Sequence, residues 1–252
     1  MNPIILITGA TSGFGEAIAR KFAGSHWNCI ITGRRKERLE SLAAELRQLG
    51  VKVLPLVFDV QDRDAVFSAL GDLPAEWKNV DVLVNNAGLA LGRDTFDGAD
   101  IDDWEQMIDT NVKGLIYVSK AILPAMVKAR RGHVINMGSV AAKEVYQNGN
   151  GYCASKFAVD ALSRSMRIDL LPHRIKVTAI HPGAADTEFS VVRYKGDDAK
   201  ARQTYVGFTP LYAGDIADIV YYTATLPPNV CINDLVVTCL AQADAVYFHK
   251  EG

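Results

Sequence analysis

The 252-residue chain carries 27 basic and 29 acidic residues, a net charge of −2, and 49% hydrophobic residues. Balanced charge of this kind gives no electrostatic footprint for nucleic acid or for an anionic membrane, and the apolar content suffices for one large core. The four cysteines (Cys29, Cys153, Cys231, Cys239) make no C-x-x-C pair and the five histidines no metal-ligand spacing, which argues for reduced thiols in the cytoplasm and against a metal site.

Met1-Asn2-Pro3 lacks the charged start of a signal peptide, and the apolar run after it is too short to span a membrane, so it reads as a buried first strand, Ile4 to Thr8. No linker, repeat or low-complexity stretch divides the chain, and residues 1–252 are taken as a single domain. Short β-branched runs alternate with segments of helical apolar spacing, which predicts repeated βα units on a parallel sheet.

The loop Thr8-Gly9-Ala10-Thr11-Ser12-Gly13-Phe14-Gly15 leads from that strand into a helix with Phe14, Ile18 and Phe22 on one side, running to about Ala23. Glycines here let the backbone turn tightly and approach a pyrophosphate at the positive end of the helix. Strand two, Asn28 to Thr32, ends in Gly33-Arg34-Arg35. An acid at this place would bind the ribose hydroxyls of NAD; two arginines suit the 2′-phosphate of NADP, with Ser12 adding a hydroxyl, or else they cap an exposed strand end.

A helix from Lys36 to Leu49 should bury Leu39, Leu42, Leu46 and Leu49. Strand three, Lys52 to Phe58, is followed by Asp59-Val60, where Asp59 either holds an adenine amino group or caps the next helix. Strand four, Val80 to Val84, gives way to Asn85-Asn86-Ala87-Gly88, whose small residues would let a cofactor lie against the backbone. In the helix beginning near Ile101, Asn111-Val112-Lys113-Gly114 is a poor mid-helix sequence, expected where function distorts the helix and exposes a carbonyl to water.

Strand five, His133 to Met137, delivers Gly138-Ser139-Val140 at its carboxyl end, where ligands bind in open parallel sheets. The next helix, reaching about Leu171, carries Tyr152 and Lys156 one turn apart. Residues at i and i+4 share a face, so the ammonium is expected to lower the phenol's pKa toward neutral and make it a proton donor and acceptor. Strand six, Lys176 to Ile180, breaks at His181-Pro182-Gly183, and the last strand lies near Leu235 to Leu240. The connection 184–214 is too long for an ordinary loop and reads as a substrate lid.

Taken together and in order, the T-G-x-x-x-G-x-G loop, Asn85 to Gly88, Asn111, Ser139, Tyr152 with Lys156, and Pro182-Gly183 resemble the short-chain dehydrogenase/reductase family over nearly the whole chain. Leu73 to Trp77, Asn86 to Gly92, Thr187 to Ser190 and Val192 to Asp198 resemble the branch acting with NADP on small 3-hydroxy acids such as serine, L-allo-threonine and 3-hydroxypropionate; Lys143-Glu144 and Tyr146-Gln147 depart from it.

The resemblance implies a doubly wound Rossmann sheet of about seven strands with helices on both faces, and a homotetramer or dimer. It implies Tyr152 as general base or acid, Lys156 lowering its pKa and binding the nicotinamide ribose, Ser139 holding the substrate oxygen, and Asn111 positioning a relay water. Gly9, Thr11, Ser12, Gly13, Phe14, Gly15, Arg34, Arg35, Asp59, Val60, Asn86, Ala87, Gly88, Pro182, Gly183 and Thr187 would line the cofactor, Thr187 meeting its carboxamide. A hydroxy-acid carboxylate calls for a cation, for which Arg193 is the candidate and Lys195 the second choice. A carbonyl or 3-oxoacyl reductase, or a nucleotide-sensing regulator, is the alternative.

Overall fold

In the computed structural model, which describes residues 2–251, the four apolar residues of β1 (Ile4–Ile7) are divided between two cores. Ile5 and Ile7 join one apolar cluster and Ile4 and Leu6 the other, as expected for a parallel strand covered on both faces. Around β1 lie β2 (Asn28–Gly33), β3 (Val53–Val57), β4 (Val82–Asn85), β5 (Gly132–Met137), β6 (Ile175–Pro182) and β9 (Asp234–Val237). Every pairing in this seven-stranded sheet is parallel, in the order β3-β2-β1-β4-β5-β6-β9.

Helices α1 (Gly13–Gly24), α2 (Lys36–Arg47) and α9 (Ala213–Thr225) cover one face through Ile18 and Phe22, Leu39 and Leu46, and Ile216 and Val220. Helices α3 (Arg63–Gly71), α5 (Leu115–Ala129) and α6 (Asn150–Leu170) cover the other, with Val66, Val118, Ile122, Met126 and Leu170 at the contact. Burying each of the larger side chains contributes about 1.5–3 kcal/mol. The chain winds outward from β1 through β2 and β3, then from β4 through β5 and β6. The sheet therefore opens a crevice at the carboxyl ends of β1 and β4, where ligands bind in doubly wound folds.

Several expectations shift. Helix α2 stops at Arg47, and the left-handed turn at Gly50 carries Leu49 out to solvent instead of into the stripe formed by Leu39, Leu42 and Leu46. The last strand ends at Val237, and Leu240 is fully exposed beyond it, because the chain turns back through a Gln242 N–H bond to the Cys239 carbonyl. Strand four starts at Val82, and other strand ends move by a residue or two. Between α4 (Ile101–Ile108) and α5 the helix widens into a π-turn over Asp109–Gly114, the distortion expected around Asn111.

Segment 184–214 folds into β7 (Ala185–Asp186), α7 (Glu188–Arg193), α8 (Asp198–Gln203) and β8 (Leu211–Tyr212), β7 pairing with β8. All four cysteines are free thiols, and among the described residues no helix is long and apolar enough to cross a membrane.

Candidate active site

A cleft of about 950 Å³ follows the carboxyl ends of the strands, from the first glycine loop to helix α6. Of the site residues expected from sequence, all line it except Gly15 and Asn111, which stand just behind its wall, and Lys195, the second-choice cation. A Cβ at Gly15 would collide with the Gly9 carbonyl oxygen and the Asn86 side chain, and Gly13 has φ +53°, a conformation that L side chains rarely adopt. The loop is pinned from the neighbouring strand: Asn86 Nδ2 donates to the Thr8 carbonyl at 2.8 Å, while Thr8 Oγ1 accepts the Asn86 and Ala87 N–H groups, each at 3.0 Å.

At the end of the cleft beside β2, Arg35 donates to Thr11 Oγ1 through Nε at 3.1 Å and to Ser12 Oγ through Nη2 at 2.8 Å. The hydroxyl of Ser12 makes no capping bond to α1 and accepts from Arg35 instead. Arg34 pairs with Asp59 at 3.3 Å. The capping role considered for Asp59 falls to Asp62, whose carboxylate accepts the Ala65 N–H at 3.0 Å, while Asp59 accepts from Gln61 N at 3.0 Å. From the opposite wall Glu188 bonds Arg35 at 2.9 Å and Arg38 at 2.6 Å, and both arginines hold its carboxyl below the usual range against the opposing effect of burial.

Asn111 is buried and its side chain is committed: Oδ1 accepts the Leu89 N–H at 2.8 Å, and Nδ2 donates to the Leu89 carbonyl at 2.8 Å and to Ser155 Oγ at 2.9 Å. Any relay function rests on its main chain in the π-turn. Ser139 opens a short turn over Val140–Ala142, its Oγ accepting the Ala141 N–H at 3.1 Å.

Tyr152 and Lys156 share a face of α6, as the spacing predicts, with the ammonium 5.9 Å from the phenol ring centre. The expected lowering of the phenol's pKa is absent from the protein alone. Burial raises it above the ordinary 10.0, and a hydrogen bond to Ser139 opposes that only partly. Lys156 instead donates to the Met137 carbonyl at 2.9 Å, and burial pushes its pKa down to about 8.

Over the phenol stands Arg193, its guanidinium carbon 5.4 Å from the Tyr152 ring centre and 5.7 Å from that of Tyr146. Nη2 donates to the Tyr146 hydroxyl at 3.0 Å, and Nε is buried with no protein partner among the described residues. Lys195, the second choice, points away to Asp103 at 2.8 Å. Thr187 caps α7, and Gly183 is packed under Gln242, whose Oε1 accepts the Ala184 N–H at 2.8 Å.

Sequence reading missed Arg38, Glu188, Tyr146 and the C-terminal stretch from Gln242 to Lys250, part of which lines the cleft. The local signals near them were the Tyr146-Gln147 departure and, for Glu188, its place in the Thr187 to Ser190 stretch.

Residues 3–197 match the family model described as short chain dehydrogenase. The chain is 49% identical over 243 residues to the NADP-dependent 3-hydroxy acid dehydrogenase YdfG of Salmonella typhi, covering 96% of this chain and 97% of that protein. It is 47% identical over 244 residues to sulfoacetaldehyde reductase 2 of Chromohalobacter salexigens, covering 96% of each. Its backbone superposes with a TM-score of 0.93 on the closed form of serine dehydrogenase complexed with NADP+, at 46% identity, covering 98% of this chain and 100% of that one. The chain thus belongs to the short-chain dehydrogenase family.

Proposed function

We propose that this chain is an NADP-dependent oxidoreductase that moves a hydride between the cofactor and a small 3-hydroxy acid of the serine, L-allo-threonine or 3-hydroxypropionate kind, or its 3-oxo counterpart. The observation that carries the acid specificity is the half-buried Arg193 guanidinium, which lines the cleft over Tyr152 and has an Nε without a partner among the described residues. A partly desolvated cation in this position suits a carboxylate one or two carbons from the reacting centre.

The donors fit the cofactor. Gly9, Gly13 and Gly15 leave a cradle that side chains would fill, at the N-terminus of α1, and Ser12, Arg34 and Arg35 gather hydroxyl and guanidinium donors suited to a 2′-phosphate. Thr11, Phe14, Asp59, Val60, Asn86, Ala87, Gly88, Pro182, Gly183 and Thr187 complete the wall. When bound, the nicotinamide supplies or accepts the hydride. The chain's own residues handle the rest: Tyr152 gives the proton in reduction and takes it in oxidation, Ser139 holds the substrate oxygen, Lys156 holds the nicotinamide ribose, and the Asn111 turn orders a relay water.

Segment 184–214 acts as a lid, tied across the cleft by Glu188 to Arg35 and Arg38, and the C-terminal residues Phe248 and Lys250 pack against its Phe208. A homotetramer is supported by the exposed Phe157 and Ile168 of α6 and by Val236 on the edge strand β9. Free thiols support a reducing, cytoplasmic setting. A 3-oxoacyl or neutral carbonyl reductase would not need a cation beside its phenol.

A substrate panel decides between these readings: serine, L-allo-threonine, 3-hydroxypropionate, 3-hydroxyisobutyrate and neutral alcohols, each with NADP and with NAD. Turnover of the acids with NADP is expected; preference for neutral alcohols, or for NAD, contradicts the proposal.

A further inference from the structure

Behind Ser139, outside the cleft, four elements bring charged groups together. Lys143 follows the turn after β5, Asp160 and Arg164 lie on α6, His181 is the last residue but one of β6, and Asp234 starts β9. The His181 ring is fully buried and its Nδ1 lies 3.2 Å from the Ser139 carbonyl oxygen. A carbonyl only accepts, so Nδ1 carries the proton. Nε2 is then a bare acceptor without a hydrogen-bond partner among the described residues, 3.7 Å from Asp160 Oδ1 and 3.6 Å from Asp234 Oδ2.

Lys143 compensates those carboxylates, at 3.1 Å from Asp160 and 2.6 Å from Asp234, and Arg164 takes the other oxygen of Asp160 at 2.8 Å. The ligand atoms of Asp160, His181 and Asp234 lie within 4.8 Å of one another, but the Lys143 ammonium already occupies the charge-neutralising position a metal ion would take. Burial and Lys143 both lower the pKa of His181, against the pull of the carboxylates and the Ser139 carbonyl, in keeping with a neutral ring of defined tautomer.

We propose that His181 is a positioning residue for the reaction, acting through the main chain of Ser139, with Lys143, Asp160 and Asp234 as the frame that fixes its ring. The Ser139 carbonyl accepts two bonds, from His181 Nδ1 and from Ala142 N at 2.8 Å, and together with the Oγ bond to Ala141 they fix the peptide that aims the hydroxyl. Gly138 lets the ring close onto this peptide: a Cβ there would collide with Nδ1. Stability alone gives weak reason to keep such a cluster, since well-packed apolar residues commonly replace buried ion pairs at no cost. His181 itself does not line the cleft, so its influence reaches substrate only through Ser139.

The inference rests on Ser139 holding the substrate oxygen, and a double-mutant cycle separates the two claims. His181→Leu should lower kcat by about 10- to 100-fold, the range that a misplaced catalytic group costs, with NADP affinity by fluorescence titration unchanged. His181→Asn, which keeps a donor toward the carbonyl, should recover most of that loss. In a Ser139→Ala background, His181→Leu should cost no further kcat. If Ser139→Ala leaves kcat intact, the role of Ser139 falls and the inference with it. If Ser139→Ala is impaired and the two losses multiply, or if His181→Asn is as slow as His181→Leu, only the inference is overturned. Lys143→Met, at a partly exposed position, repeats the cycle should the leucine variant fail to fold: a kcat loss that disappears on the Ser139→Ala background supports positioning, and a multiplicative or absent loss overturns it.

Discussion

Replacing Arg193 with methionine keeps an unbranched stem in the pocket and removes the cation. The guanidinium lines the cleft, gives Nη2 to Tyr146 and has an Nε with no partner among the described residues, so a substrate carboxylate gains one or two charge-assisted bonds. Each such bond is worth about 1.5–3 kcal/mol, partly offset by what Tyr146 and the cavity recover, so a net loss of about 1.5–4 kcal/mol is expected. At 1.4 kcal/mol per tenfold, that is roughly a 10- to 700-fold drop in kcat/KM for an acid, carried mainly by KM. A matched pair isolates the charge: initial rates with 3-hydroxypropionate and with its methyl ester, at saturating NADP. The ester should change by no more than about threefold, since it never made the charge-assisted bond. Equal losses on acid and ester would show that Arg193 only packs against Tyr152, and the reasoning would fail.

Two further outcomes follow from the cleft. Arg34→Ala and Arg35→Ala should each weaken NADP binding by roughly 10- to 150-fold, the value of a charge-assisted phosphate contact, and leave NAD nearly unchanged; equal losses for both cofactors, measured by fluorescence titration, would remove the 2′-phosphate from their role. With the Tyr152 pKa raised above 10.0, the phenol stays protonated through neutral pH. The acid needed for reduction is then present from acid to neutral pH, and kcat/KM for reduction should be flat there. The base needed for oxidation forms only as pH rises, so kcat/KM for oxidation should climb into the alkaline range; a plateau already reached at neutral pH would contradict the burial argument.

The sequence exposed the parts of this protein that are local. The glycine loop, Asn86 to Gly88, Ser139 and Gly183 all sit where a strand ends, and Tyr152 and Lys156 are one helical turn apart, so motif and periodicity together placed them. Asn111 was legible because it breaks a helix rule, and the π-turn is the physical form of that break. Glu188 was not legible: it meets Arg35 across 153 positions, and nothing local marks a carboxylate that will face two arginines. The same holds for the C-terminal residues beside Phe208 and for His181, which reads as a chain breaker next to Pro182. Leu49 and Leu240 were misread because an apolar residue at the end of an element carries no sign of whether the chain turns before or after it. The pKa of Tyr152 was misread because spacing reveals a shared helix face with Lys156, and neither the burial that raises the phenol nor the turn of Lys156 to the Met137 carbonyl.

The claim that Tyr152 performs proton transfer in a cofactor-dependent hydride reaction is tested most directly by Tyr152→Phe. Binding of NADP and turnover of the acid substrate are measured on the same preparation. Unchanged binding with turnover abolished is the predicted result; turnover at the wild-type rate would contradict the account.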